Sequence, residues 1–471
     1  MLLIDFVRLK TPDANSTLTT NWSSQFAAYL GTVGAAVGLG SIWRFPYLAG
    51  TLGGGTFIGA FVVACLVIAT PLLVAEYMIG RYSGLAPSDA AGAMAVSIGR
   101  SPRWNIIGQL GTVAAFLICS YYTIVAGWVV AYAWKCGTGA FAGMSRPELQ
   151  NEWRHFLADP WQLMGWQVLF IGAVTFISAR GLGPGIELAS RIRAPALLGL
   201  LLILDLYSLL TGDVSQTFRF VFTPHWETLS AAVVLAAIGQ AFYATGVGMG
   251  MMLAYGSYMP RRAPLLRPAL LVSGSILLVS LLATILVFPL VFRFHMDPAG
   301  GPALVFDVLP TAFAAMPGGR LIGTIFFLLL ILAALTPSLA GFEPITAWLQ
   351  TRGLKRVTAA LVTGSSVWFA GISSVLSFNW IAGWHPLERV PILAGKTVFE
   401  VVDFIAGNLL LPLGALLTCL FIGWRLNRAT FAAELSGSPA IVVGVCRILL
   451  RYVCPIAIVA VLSATLLQAH A

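Results

Sequence analysis

Apolar residues fall in long unbroken runs, separated by short gaps that carry arginines, glycines and polar residues. Eleven runs stand out: 25–50, 56–82, 104–135, 162–180, 194–211, 231–257, 265–292, 320–349, 355–373, 397–424 and 446–468. A helix needs about 20 apolar residues to cross a bilayer, and most runs exceed that. The runs 104–135 and 320–349 are longer still, which predicts tilt or extension beyond the membrane. The pattern predicts an all-α polytopic membrane protein of eleven helices.

Two runs are interrupted alike. The first holds Gly34-Ala35-Ala36-Val37-Gly38-Leu39-Gly40-Ser41-Ile42-Trp43-Arg44-Phe45-Pro46-Tyr47, and the sixth holds Gly246, Gly248 and Gly250 after Gly239-Gln240-Ala241-Phe242-Tyr243. Each glycine inside a helix costs about 1 kcal/mol relative to alanine, so neither stretch favours a straight helix. Unwound backbone at membrane depth is tolerated only where protein buries it or a cavity needs it. Runs one and six are five apart, hence of opposite orientation, which points to an inverted-repeat carrier with its site at the breaks. Close packing of small residues is the alternative use of such glycines.

Composition agrees with the hydropathy. The chain is 58% hydrophobic and 10% charged over 471 residues, with a mean hydropathy of +0.88. Met1 to Lys10 is too short for a signal peptide. Cys65, Cys119, Cys136, Cys419, Cys446 and Cys454 lie mostly in apolar runs without metal-type spacing, and read as core or lipid-facing thiols. The net charge of +9 reflects basic loops rather than nucleic-acid binding.

Those loops set the orientation. Alternate gaps hold Arg81, Arg100, Arg103, Arg180, Arg191, Arg193, Arg261, Arg262, Arg267, Arg352, Lys355, Arg356, Arg425, Arg428, Arg447 and Arg451. The opposite gaps hold Arg146, Arg154, Arg219, Arg293, Arg320, Arg389 and Lys396. Sixteen against seven places the N-terminus in the cytoplasm and, with eleven helices, the C-terminus outside. Among the outside gaps, 136–161 and 293–319 are long, and the second could fold as a lid. No linker suggests a second domain, so residues 1–471 form one transmembrane unit.

Ionisable residues at depth are costly and functional by default. They are Arg44, Glu76, Asp205, Glu343, Glu400 and Asp403. Arg44 lies just beyond the first break on the outer side, and Asp403 near the outer end of run ten is its natural partner. Their pairing would gate the outer vestibule; a permanent structural ion pair is the alternative. Glu76 suits orphan amides near Gly38–Gly40 or Gly248–Gly250, Glu343 suits tying broken backbone, and proton coupling through either stays open.

Trp22, the run Gly34 to Tyr47, Gly53-Gly54-Gly55 and Glu76-Tyr77-Met78-Ile79-Gly80-Arg81 resemble the opening of neurotransmitter:sodium symporters. Tyr121-Tyr122, Trp128, Arg180-Gly181, Gln240 to Gly250, Ala333-Ala334-Leu335-Thr336 and Asp403-Phe404-Ile405-Ala406-Gly407 continue the likeness along the whole chain. The eleven runs are similar to the bacterial branch. The resemblance implies the leucine-transporter fold, with inverted repeats of helices 1–5 (roughly 22–211) and 6–10 (231–424) and an extra helix at 446–468. It further implies a multi-pass protein of the bacterial inner membrane.

By the same resemblance, Ala36, Gly38 and Gly40 would offer backbone to an amino acid's amino and carboxylate groups, and the Tyr122 hydroxyl would bond the carboxylate. Gly38 stands where monoamine carriers place an aspartate, which argues for an amino-acid substrate. Ile118, Tyr243, Gly246, Met249 and Gly341 would line the side-chain pocket. Gly246 and Gly341 are small and favour a large apolar or aromatic side chain.

Departures from the family pattern concern ions. Ser41 and Ala244 replace an Asn and a Thr of the first sodium site, and 265–292 has no Asn or Asp, so that site is expected absent or weak. Phe61 replaces a chloride-site Tyr, although Gln240 and Ser280 remain; chloride is not expected. The second sodium site would use Gly34, Val37, Ala333 and Thr336. Pro337 replaces a Ser ligand there, but its missing amide frees the Ala333 carbonyl, unless it is a structural kink. The family's inner latch places hold Thr19 and Thr351, which predicts looser inward closure or a substitute pair such as Asp13 with a loop cation.

The leading expectation is symport of a neutral amino acid with one sodium ion through the second site. Alternatives are a carrier coupled to protons or running by exchange, and a non-transporting amino-acid sensor. An enzyme is not expected: no nucleophile–base pair, phosphate loop or metal cluster is visible, and the five histidines are scattered in loops.

Overall fold

The computed structural model describes residues 21–295, 297, 305–306, 308–316 and 318–467. Among them, nine helices are long and apolar enough to cross a membrane, and a bent pair makes a tenth. The eleventh expected run, 231–257, forms Ala231–Thr245 and Met251–Ser257. Its longer member has 15 residues, short of a full crossing, because the break divides it. Numbered in chain order as spans one to eleven, the segments are Gln25–Thr51 (bent), Gly55–Ser83, Pro102–Thr138, Pro160–Ala179, Leu182–Thr211, the broken 231–257 (span six, the one short of a full crossing), Leu266–Arg293, Gly319–Thr351, Arg356–Leu376, Val398–Arg425 and Ala440–Leu467.

Burial sorts the bundle into inner and outer helices. In span three, 78% of the most apolar stretch is buried, against 28% in span five and 22% in span eleven. Span three packs along span eight at the centre. Spans five and eleven present Leu202, Ile203, Leu206, Leu210 and Ile456 outward, as a lipid-facing helix does. Span five also begins earlier than its apolar run, at Leu182. Residues 182–193 are therefore helix, and Arg193, counted above as a loop cation, lies inside the bundle at 2% exposure.

Span one stops at Ala36, Val37 turns extended (φ −75°, ψ 102°), and a second helix resumes at Gly40, bent by 51° from the first. Span six breaks between Thr245 and Met251. There Gly246, Gly248 and Gly250 adopt φ of +63°, +85° and +74°, a region that costs an L-residue about 1–2 kcal/mol. Side-chain room is also lacking: a Cβ on Gly248 would run into the Leu411 carbonyl oxygen. The freed amide of Gly248 donates to Glu76 Oε1 at 2.6 Å, one of the two roles expected of Glu76.

Replacing Gly248 with alanine should therefore cost roughly 2 kcal/mol or more. Thermal unfolding in detergent reads this as a lowered midpoint; an unchanged midpoint would contradict the unwound geometry.

Candidate functional site

The two breaks face each other across a narrow cavity of about 50 Å³. Its wall includes Ala36, Gly38, Gly40, Ile118, Tyr122, Tyr243, Gly246 and Met249, eight of the nine residues expected there. The Tyr122 hydroxyl lies 3.3 Å from the Leu39 amide, which donates to it. Gln240 Nε2 donates to the Gly40 carbonyl at 2.8 Å. Among the described residues no charged side chain lines the cavity, so peptide dipoles and hydroxyls are its polar resources.

Also lining it are Ala35, Cys119, Met251, Ser338 and Leu411, which sequence reasoning did not place there, and Ala244 and Pro337, which it named only for the ion sites. Two expectations change as a result. Gly341 lies behind the wall, where a Cβ would meet Cys119 Sγ at 2.6 Å and Met249 Cε at 3.0 Å. The space beside Gly246 is filled by the Met251 side chain. Neither glycine leaves free room, since neighbouring residues point into the space they vacate. At Gly38 a Cβ would meet Pro337 Cγ at 2.7 Å, so the ring of Pro337 covers the position where an acidic side chain would stand.

A larger vestibule of about 510 Å³ opens beyond Tyr122 and Tyr243, which line both spaces. Aromatic rings dominate its wall, including Trp43, Tyr121, Trp128, Trp153, Phe306 and Phe399. Phe306, from the long gap expected to act as a lid, stacks on Trp153 at 5.0 Å between ring centroids; residues 298–304 of that gap lie outside the described residues. Arg44, Glu400 and Asp403 also face the vestibule. The Arg44 guanidinium sits 4.4 Å over the Tyr243 ring, and among the described residues no ion pair joins it to Asp403. Asp205 lines neither space; its carboxylate is buried in span five without a hydrogen-bond partner among the described residues.

The opposite end is shut. Trp22 is 4% exposed, and its indole donates to the Tyr255 carbonyl at 3.3 Å. The ring meets Tyr255 and Tyr258 edge-on, with centroids 5.3 and 6.4 Å away. Ser23 donates through its hydroxyl to Glu187. Arg356 holds Glu343 with bonds of 2.6 and 2.7 Å, and the Tyr258 hydroxyl donates to the same carboxylate. Glu343 thus ties the end of span six to span nine and not to broken backbone, a correction to its expected role. Thr19 and Asp13 lie outside the described residues, and the Thr351 hydroxyl donates to the Trp348 carbonyl.

Residues proposed for the second sodium site do converge. The Thr336 hydroxyl donates to the Gly34 carbonyl at 2.7 Å. The same carbonyl accepts Arg193 Nη1 at 2.8 Å, Val37 accepts Nη2, and Leu332 accepts Nε at 2.6 Å. A cation needs carbonyl lone pairs free to turn toward it, and a guanidinium holds two of these four residues. At the first position the Ser41 hydroxyl is buried without a hydrogen-bond partner among the described residues, and Ala244 supplies no side-chain oxygen. Neither set of residues, as arranged here, fits sodium.

Two broken helices facing a narrow cavity, with an aromatic vestibule on one side and a sealed end on the other, are the arrangement of a membrane carrier. The sequence comparisons give the class its family. A profile described as "Sodium:neurotransmitter symporter family" matches residues 19–155 and 149–471; the chain belongs to that family. It is 34% identical to the uncharacterized sodium-dependent transporter YhdH of Bacillus subtilis, over 93% of this chain and 96% of that one. An uncharacterized sodium-dependent transporter of Haemophilus influenzae is 30% identical over 87% and 91%. The crystal structure of MhsT in complex with L-phenylalanine superposes with a TM-score of 0.86 at 34% identity, covering 95% of this chain and 99% of that one. The fold is thus the leucine-transporter fold.

Glu343→Gln removes the carboxylate that Arg356 and Tyr258 share, and should loosen the Trp22 end. A cysteine introduced at Ser257, now 5% exposed, should then react severalfold faster with a thiol reagent. An unchanged rate would assign closure to Trp22 alone.

Proposed function

We propose that the chain carries a neutral amino acid with an apolar side chain into the cell. It would lie in a bacterial inner membrane with the N-terminus cytoplasmic and the C-terminus outside, so that the vestibule faces outward. The single observation behind this reading is the cavity between the breaks, polar through backbone and hydroxyls and free of charged side chains. A zwitterion suits such a site. The half-helix beginning at Gly40 turns its positive end toward a carboxylate, and carbonyls ending the preceding half turn toward an ammonium.

Residue roles follow from this placement. Tyr122 would move its hydroxyl from the Leu39 amide to the carboxylate. Ile118, Tyr243, Gly246 and Met249 would hold the side chain, with Gly341 behind them. Large apolar or aromatic side chains, such as that of the L-phenylalanine bound to MhsT, would require Met249 and Met251 to rotate away. Methionine permits this, being unbranched and readily repacked. Closure of the vestibule would bring Arg44 off the Tyr243 ring toward Asp403. The repeats 22–211 and 231–424 would then rock against each other, with 446–468 outside them.

Family membership supports coupling to sodium; Gly34, Val37, Ala333 and Thr336 would carry one ion only if Arg193 withdrew from the Gly34 and Val37 carbonyls, and chloride is not part of the reading. A second reading, favoured by the Arg193 contacts, keeps the carrier and removes the ion from that position.

Uptake of a labelled amino-acid panel into proteoliposomes tests the proposal. Saturable uptake of apolar amino acids is expected, with Tyr122→Phe weakening affinity by about tenfold or more, the worth of one hydrogen bond to a charged group. Binding without uptake would identify a sensor, and neither would overturn the reading.

A further inference from the structure

We infer that the Arg193 guanidinium is a resident cation that takes the place of sodium at the second site, so that substrate binding there needs no sodium. The inference rests on the carrier reading for its substrate arm and on geometry alone for its ion arm.

Three facts carry it. First, Arg193 reaches the site from span five and is 2% exposed, yet its partners are carbonyls: Gly34, Val37 and Leu332. Among the described residues no carboxylate lies within ion-pair distance of it. A buried arginine held only by peptide oxygens is placed where negative backbone potential is strongest, here the carbonyl end of the first half-helix. Sodium would seek the same oxygens for the same reason. Second, the guanidinium is always charged in a protein, so this cation does not come and go with solution composition. Third, the guanidinium stands directly against this turn of backbone: a Cβ built on Gly34 would lie 3.2 Å from Arg193 Nη1, with Ser190 Oγ and Thr336 Oγ1 at ordinary contact, 3.5 and 3.6 Å. A second unit charge among these oxygens would meet like-charge repulsion in a poorly screened interior.

A tethered cation changes the carrier's energetics. Sodium would hold spans one and eight together only when bound, making the outward-facing state depend on its concentration. Arg193, fixed covalently to span five, holds spans one and eight by hydrogen bonds to their carbonyls. The first half-helix is therefore organised before substrate arrives, whatever the salt.

The test uses the full-length protein in detergent, with L-phenylalanine and ²²Na⁺ as probes. Wild-type affinity for L-phenylalanine should differ by less than about twofold between sodium and choline chloride, and no ²²Na⁺ should bind at a one-to-one ratio. Arg193→Ala vacates the oxygens; its affinity should fall about tenfold or more in choline and recover when sodium or guanidinium chloride is added. A wild-type affinity raised tenfold by sodium, or one ²²Na⁺ bound per wild-type chain, would overturn the inference. So would an Arg193→Ala variant that folds and responds to neither added cation. If that variant does not fold, the two wild-type measurements decide. If L-phenylalanine does not bind under any condition, the carrier reading fails for this probe and ²²Na⁺ binding alone still decides the role of Arg193.

Discussion

Peptide groups freed inside a membrane must find partners, because hydrocarbon offers none. The two breaks release such groups at mid-depth, and buried side chains from other helices collect them. Arg193 binds the carbonyls ending the first half of span one, while Gln240 takes the carbonyl of Gly40 beyond the break. Tyr122 accepts the Leu39 amide, and Glu76 accepts the Gly248 amide. Each partner has a charge or dipole opposite to the group it meets. Without them an unsatisfied peptide group would cost several kcal/mol, and a straight helix would win.

The same arrangement leaves a few backbone groups facing a shared cavity, where the proposed amino-acid site lies. Its access is one-sided. Aromatic rings line a vestibule on the Arg44 side, whereas Trp22, Tyr258, Glu343 and Arg356 seal the other end. Arg44 stacked on Tyr243 without an ion pair to Asp403 suits the open side. The closed side is built on a partly buried Arg356–Glu343 pair, and the fully buried Glu343 carboxylate would be expensive to leave unmatched. Opening and closing can thus exchange a small set of polar contacts while the central packing of spans three and eight persists.

Much of this was legible in the chain. Glycine clusters inside long apolar runs announced both breaks, because no other residue makes a membrane helix so easy to unwind. The carboxylate of Glu76 was legible as a partner for orphan amides because little else in span two could serve. Arg193 is not legible as a helix residue for a physical reason: hydropathy detects the apolar part of a helix, and span five starts with twelve residues, 182–193, in which Gly183, Pro184, Gly185, Glu187, Ser190, Arg191 and Arg193 dilute the apolar ones before its run at 194. Positive-inside counting then assigned those arginines to a loop. Glu343 was assigned to the breaks because its depth is visible in sequence, whereas its partner Arg356, on the following span, is not. The pocket's size was misjudged likewise. A glycine shows where a side chain is missing but not that Met251, or Met249 with Cys119, fills the gap.

The central claim is that bare peptide groups at the two breaks, held by buried partners, grip both ends of a zwitterion. Calorimetric titration of the protein with L-phenylalanine, its N-acetyl derivative and its amide tests this directly. The account predicts heat of binding for the free amino acid and none for either capped compound, because each cap removes one of the two charges the proposed site meets with backbone. Capped compounds binding as tightly as the parent would contradict it.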